Sequence, residues 1–249
     1  MRSTKFLLFG LVFITLITGA CSTLPRINNR IDGSGNLISE ERNVSGFNRI
    51  SLSGFGQVEI TQGTTESLTV TTDDNIMPYI RTEVNGNTLV LGFTDAGRRR
   101  SFNPSDKIKF NLVIKELDRI DISGAGDLHA DKLVVDSLRI DLSGAGSLEF
   151  DSLTADELVT ELSGAGSVIV AGKVKGQELD HSGVGTYYAA DLESETAIFN
   201  VSGAGSATVW VKETLNVNVS GLGNIIYYGS PRVIQNISGL GKLIGEGEK

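Results

Sequence analysis

The sequence holds one cysteine, two histidines and one tryptophan, and aromatic residues make up only 6% of it. A single cysteine excludes an internal disulfide, so Cys21 needs another explanation. Two isolated histidines and that cysteine supply too few ligands for a zinc site; His129 is expected to be exposed, with no metal ligand clustered about it. Long apolar runs are missing too. FLLFGLVFITLI, Phe6 to Ile17, falls short of the roughly 20 residues that a membrane-spanning helix needs. Basic residues are outnumbered, 22 Lys and Arg against 30 Asp and Glu, giving a formal charge of −8. Removing residues 1 to 20 takes away Arg2 and Lys5 and no acid, which moves that charge to −10. Such a chain repels nucleic acid and anionic membrane surfaces, which argues against either as a partner of the acidic domain. Its one basic run, Arg98 to Arg100, lies in the polar stretch DAGRRRSFNPSDK and reads as a solvated loop. Helical patterning is scarce, and only DDNIMPYI, Asp73 to Ile80, suggests a short helical turn.

What is present at the N-terminus is a basic flank, a short apolar run and the small-residue ending ITGAC, the form of an export signal. Ile17 to Cys21 resembles the bacterial lipobox, in which cleavage before the cysteine exposes it for acylation, for instance with palmitate. Residues 1–20 are therefore expected to be a lipoprotein signal peptide, and Cys21 the lipid attachment point to the membrane. Ser22, in place of Asp, implies sorting to the outer membrane of a Gram-negative bacterium. Residues 21–44 are polar, contain DGSGN, and are expected to be the lipidated cysteine and a tether.

Beyond the tether one four-residue unit recurs: SGFG at Ser53, SGAG at Ser123, Ser143, Ser163 and Ser202, SGVG at Ser182, SGLG at Ser220 and Ser238. From Ser123 the spacings are 20, 20, 19, 20, 18 and 18 residues. A period near 20 marks an array of stacked units, and the LxxLxL pattern of leucine-rich repeats is missing. Before each serine stands an inward-type residue (Leu52, Ile122, Leu142, Leu162, His181, Val201, Val219, Ile237), and before that, from Asp121 onward, a polar one. Alternation resumes after the glycines, with Leu148 and Phe150, Val168 and Val170, and Ala207 and Val209 as inward pairs. Two strands per repeat are clear, and a third, less regular, is expected around DSLTADELV. Twenty residues at about 3.3 Å each close a turn of roughly 65 Å perimeter. The expected fold class is all-β: a right-handed parallel β-helix of 20-residue SGxG repeats, each turn stabilised by stacking on the next.

Residues 45–245 are expected to form one domain, regular over 119–245 and irregular over 45–118. In the irregular part QVEITQG, SLTVTTD, TEVNGNTLVLGF and IKFNLVI read as strands, with a hairpin turn at Asn85-Gly86. That block is expected to cover or extend the N-terminal end of the helix, whose open edges otherwise invite association; oligomers through the C-terminal edge follow from the same reasoning. Residues 246–249 are expected to fray. The SGxG units, the opening VSGFNRISLSGFGQVEITQG and the following TEVNGNTLVL resemble the bacterial head GIN domain family, described as autotransporter adhesin heads. The likeness spans about residues 44 to 245. It implies an exported right-handed β-helix and brings no catalytic or ligand residues.

The glycine-rich units invite catalytic readings that their spacing refuses. DLSGAGSLEF, Asp141 to Phe150, lacks the third glycine of GxGxxG and a following helix, and its serine precedes the glycines where a nucleophile turn needs GxSxG. Ser123, Gly124, Gly126, Ser143, Gly144, Gly146, Ser163, Gly164 and Gly166 are instead expected to build turns. The glycines stand there because a side chain would clash or φ must be positive, and Ser143 is expected to bond the turn backbone. Asp180-His181-Ser182 spells a triad in a row, but alternation sends His181 inward, in place of an aliphatic rung, and its neighbours outward. Asp121, Asp141, Glu161 and Asp180 form an outward ladder about 4.8 Å apart per step, expected to be solvated. Calcium bridging is the alternative, although the calcium-binding GGxGxDxUx repeat is missing. No other cofactor is expected.

Trp210 and Tyr228 each fall eight residues after a repeat serine and are expected to neighbour one another on adjacent turns. Paired rings can stack on sugar faces or anchor a protein partner, or pack against each other and a terminal loop. Lys132, Lys173 and Lys212 are scattered, with no consistent acidic partner. The expected function is noncatalytic: an envelope lipoprotein presenting a binding or adhesion face to a protein or carbohydrate. The alternative is a polysaccharide-active β-helix enzyme.

Overall fold

A computed structural model describes residues 29–249, so the expected signal peptide, Cys21 and the start of the expected tether lie outside the described residues. The fold is nearly all β, a parallel β-solenoid of about six turns. The residues before the corner serines stack turn on turn: Leu52, Ile122, Leu142, Leu162, His181, Val201, Val219 and Ile237. All but Ile237, in the outermost turn, are buried. A second inward ladder follows the corners: Leu128, Leu148, Val168, Tyr187, Ala207 and Ile225, each in register with the next. Leu148, Phe150, Val168, Val170, Ala207 and Val209, expected inward, are all buried.

The third side is more regular than the sequence suggests. Single strands run from Ser147 to Leu162, Ser167 to His181, Thr186 to Val201 and Ser206 to Val219, bending between faces where the ladder shifts register. Leu153, Ala155 and Leu158 close this side of the core. The shorter repeats are absorbed at register shifts, between Phe150 and Leu153 and between Ala189 and Glu193, away from the SGxG corners.

Strands within residues 45–118 extend the N-terminal end. The strand Thr88–Phe93 lies parallel to Arg49–Leu52, and Lys109–Ile114 parallel to Phe55–Gln62, which adds one more turn below the first corner. Ile80–Asn85 and Ser67–Asp73 then pair antiparallel to these two. The hairpin turns through Gly86, whose φ of +63° suits glycine. A 3-10 turn at Met77–Tyr79 occupies the predicted helical stretch. The basic run is a loop only in part: Asp95–Arg98 forms one helical turn capped by Thr94, and Arg100 lies over the Tyr79 ring.

Two boundaries need correction. Residues 30–42, read as tether, form strands: Arg30–Asp32 pairs parallel to Ser101–Asn103, and Leu37–Arg42 antiparallel to Leu68–Asp73. Buried Asp73 fixes the turn between them, accepting bonds from Gly35 N at 2.8 Å, Ser105 N at 2.9 Å and Ser105 Oγ at 2.6 Å. Burial pushes its carboxyl up, but those bonds outweigh it and hold the carboxyl below its ordinary value. The tail does not fray either. Gly229 N bonds Gly247 O at 2.7 Å, and Lys249 pairs with Asp191 and the Ala190 carbonyl.

Candidate functional site

The SGxG corners form one column along the solenoid. Ser143 N and Gly144 N both bond the Ile122 carbonyl, and Ala145 N the Gly124 carbonyl, a pattern that repeats turn after turn. A Cβ on Gly144 would lie 1.9 Å from Gly124 O, one on Gly146 1.9 Å from Gly126 O, and one on Gly124 1.8 Å from Gly54 O. Gly164 and Gly166 meet Gly144 O and Gly146 O in the same way, while Gly126 meets the Leu52 side chain at 2.3 Å. Close approach of stacked backbones is thus the reason for the glycines. Positive φ is not, since none of these six has it. Ser123, Ser143 and Ser163 are exposed, and among the described residues their hydroxyls make no protein hydrogen bond, so the expected bond from Ser143 to the turn backbone is not formed.

Asp121, Asp141, Glu161 and Asp180 lie in register on four successive turns, as predicted, and the column continues through Asn200, Asn218 and Asn236. The charges are met by arginines two residues earlier on the same strand face. Arg119 reaches Asp141 at 2.8 Å, and Arg139 contacts Asp141 at 3.1 Å and Glu161. Further along, Asn200 Nδ2 donates to Asp180 at 2.8 Å and Asn218 Nδ2 to Asn200 at 3.0 Å. Burial pushes the Asp141 carboxyl up, whereas the hydrogen bond from Arg139 holds Glu161 down. Arg139→Ala would leave two stacked carboxylates to repel when ionised. It is expected to cost about 1 kcal/mol at pH 7, the guanidinium being a third exposed, and less at pH 4, where protonation relieves the repulsion. Urea unfolding at both pH values checks the sign.

Asp180, His181 and Ser182 do not assemble. His181 is 1% exposed, stacked between Leu162 and Val201, with Nε2 3.2 Å from Gly185 O. Asp180 is engaged by Asn200 instead. The flanking groove, about 200 Å³, is lined by Asp180, Asn200, Asn218, Ser202 and Ser220.

Trp210 and Tyr228 are in register on adjacent turns, as predicted, and both are half-buried. Lys249 Nζ lies 5.4 Å from the Trp210 ring centre and 5.9 Å from that of Tyr228, and Lys212 Nζ lies 6.0 Å from Trp210. The lysines are also better partnered than the sequence suggests. Lys173 and Lys212 both pair with Glu193 at 2.9 Å, and their hydrogen bonds hold its carboxyl below the usual range. Beneath this face runs a buried polar chain that the sequence does not announce. Tyr187 Oη donates to Gln177 at 3.0 Å, Gln177 Nε2 to Ser194 at 2.8 Å, and Ser194 Oγ to the Trp210 carbonyl at 2.8 Å. Burial pushes the Tyr187 phenol far up, so it stays a neutral donor.

His129 needs correction. It is half-buried, in register with Glu59 one turn below, and its Nδ1 lies 3.0 Å from Glu59 Oε2. Its Nε2 faces Asp151 Oδ2 at 3.4 Å and Asp131 Oδ1 at 3.7 Å. The period contains this cluster, because 131 and 151 are one repeat apart; His129 looks isolated only when the chain is read linearly.

Comparison with known proteins agrees with this geometry. Residues 46–231 match the family described as "Putative auto-transporter adhesin, head GIN domain". The chain belongs to this family. Solved structures of similar fold superpose on most of it. A "putative adhesin" of Bacteroides fragilis is 29% identical with a TM-score of 0.82, covering 86% of this chain and 99% of its own. A "putative lipid binding protein" of Parabacteroides distasonis is 26% identical with a TM-score of 0.67, over 87% and 99%. A "putative adhesin" from the same organism, 24% identical with a TM-score of 0.68 over 87% and 99%, shares the fold. No curated protein matches the chain.

Proposed function

We propose that the protein is a noncatalytic envelope lipoprotein, acylated at Cys21 and held at the outer membrane, whose rigid solenoid binds an envelope protein or carbohydrate through its outward faces. The observation that carries this reading is the in-register pair Trp210 and Tyr228, set beside Lys212 and Glu193. Two aromatic residues on adjacent strands, with Lys212, Lys249 and Glu193 at their margin, suit a sugar face or a protein anchor. Kinship with domains called adhesins supports binding as the role. On the acidic ladder Asp141 and Glu161 are matched to arginines and Asp180 to Asn200, and beside the rings Glu193 is matched to two lysines, so among the described residues neither face leaves a free carboxylate pair for substrate.

A panel of envelope polysaccharides, proteins and lipids presented to purified residues 22–249 tests the reading, with lipids included because one solved relative is named for binding them. Saturable retention without shortening of any polysaccharide is expected. Turnover of a polysaccharide would overturn the reading in favour of a β-helix enzyme. Cys21→Ser is expected to abolish palmitate labelling and move the protein from the membrane to the soluble fraction; unchanged labelling would contradict the anchor.

A further inference from the structure

Three carboxylates gather around His129 and, among the described residues, no lysine or arginine joins them, unlike the arginine- and lysine-matched clusters described above. Arginines meet Asp141 and Glu161, and lysines meet Glu193. Around His129, Glu59, Asp131 and Asp151 converge, and among the described residues no lysine or arginine pairs with any of the three. Even a protonated imidazole would leave two negative charges uncompensated.

The geometry orders these groups into two shells. A neutral imidazole that donates Nδ1–H to Glu59 presents the Nε2 lone pair to Asp131 and Asp151, and a metal-bound histidine is commonly oriented by a carboxylate on its other nitrogen. Ligand atoms on tetrahedral zinc, at about 2.0–2.1 Å from the ion, lie about 3.3 Å from one another. Here Nε2 stands 3.4 Å from Asp151 Oδ2 and 3.7 Å from Asp131 Oδ1, and the three ligand atoms lie within 4.8 Å of one another. Closing the remaining gap takes a rotation of Asp131, whose side chain is 86% exposed. His129 itself is fixed by the strand register, Glu59 below and Glu149 above. One imidazole nitrogen with two carboxylate oxygens suits zinc and its neighbours among the divalent transition ions; calcium takes oxygen ligands alone.

We propose that His129, Asp131 and Asp151 bind one divalent transition-metal ion of the zinc class, with Glu59 as the residue that orients the imidazole. Three protein ligands leave a coordination position open on the outer face, where water or an oxygen or nitrogen donor of a bound partner completes the shell.

The test uses the full chain, purified in mild detergent and stripped of metal, titrated calorimetrically with Zn2+ alone and followed in the visible spectrum with Co2+ alone. The expected result is one saturable site per chain, tightest for the unsubstituted protein. His129→Gln and Asp151→Asn are each expected to weaken it by about tenfold or more, and Glu59→Gln by about tenfold through loss of orientation. Each variant is first shown to keep the metal-free melting temperature and strand spectrum, and Asp131→Asn serves as a second ligand variant should His129→Gln fail to fold. Absence of saturable binding below about 100 times the protein concentration, or binding of equal strength after loss of His129 or Asp131, would overturn the proposal.

Discussion

Gly144→Ala is expected to destabilise the protein by about 3 kcal/mol or more, whereas Ala145→Leu one residue on is expected to change stability little. The added methyl would stand 1.9 Å from the Gly124 carbonyl oxygen, and that carbonyl is fixed by its bond to Ala145 N at 2.9 Å. Neither partner can yield without breaking the column of stacked corners, so the cost is one of overpacking against backbone. Position 145 carries no such constraint. It is exposed, and its equivalents in other turns include Phe55, Val184, Leu222 and Leu240, of which Val184, Leu222 and Leu240 are more than half exposed. Chemical denaturation of the two variants checks the contrast, and equal loss in both would contradict the close-packing account.

Phe150→Ala is expected to cost about 4 kcal/mol and lower the melting temperature by on the order of 10 °C. Phe150 is 1% exposed and stacks between Ala130 and Val170, so the ladder has no neighbouring bulk that could swing in to fill the space. Phe150→Leu retains most of the volume and is expected to lose about 1 kcal/mol. Because each turn contacts only its neighbours, the damage should be local, and hydrogen exchange should accelerate most in the strands holding Ala130, Phe150 and Val170. Uniform acceleration across the chain would show one cooperative core instead of stacked units.

The repeat made the solenoid legible. Once Asp121, Asp141, Glu161 and Asp180 are aligned on the period, their register in space follows, and so does the pairing of Trp210 with Tyr228. The same operation reaches further than single motifs suggest. Arg119 and Arg139 stand two residues before the acids, hence on the same face, and the column already contains its counter-charges. His129 meets Asp151 for the same reason.

What escaped the sequence is nonlocal or irregular. The strand Leu37–Arg42 offers little inward apolar side chain and owes its place to Asp73, 31 residues or more away along the chain, bonding Gly35 and Ser105. Lys249 reaches the aromatic pair because the last turn folds back over Asp191, and nothing in GEGEK foretells that contact. The polar chain from Tyr187 to Trp210 crosses the interior between strands whose register shifts, where a fixed period no longer says which residues meet.

The central claim is that the corners build the solenoid while the faces between them bind. It is tested most directly by measuring retention on the envelope-component panel for Ser143→Ala with Ser163→Ala, and for Trp210→Ala with Tyr228→Ala, each variant matched in folding to the unsubstituted domain. The account predicts unchanged binding for the corner pair and about tenfold or greater loss for the aromatic pair. Loss of binding with the corner serines, and retention without the aromatic rings, would contradict it.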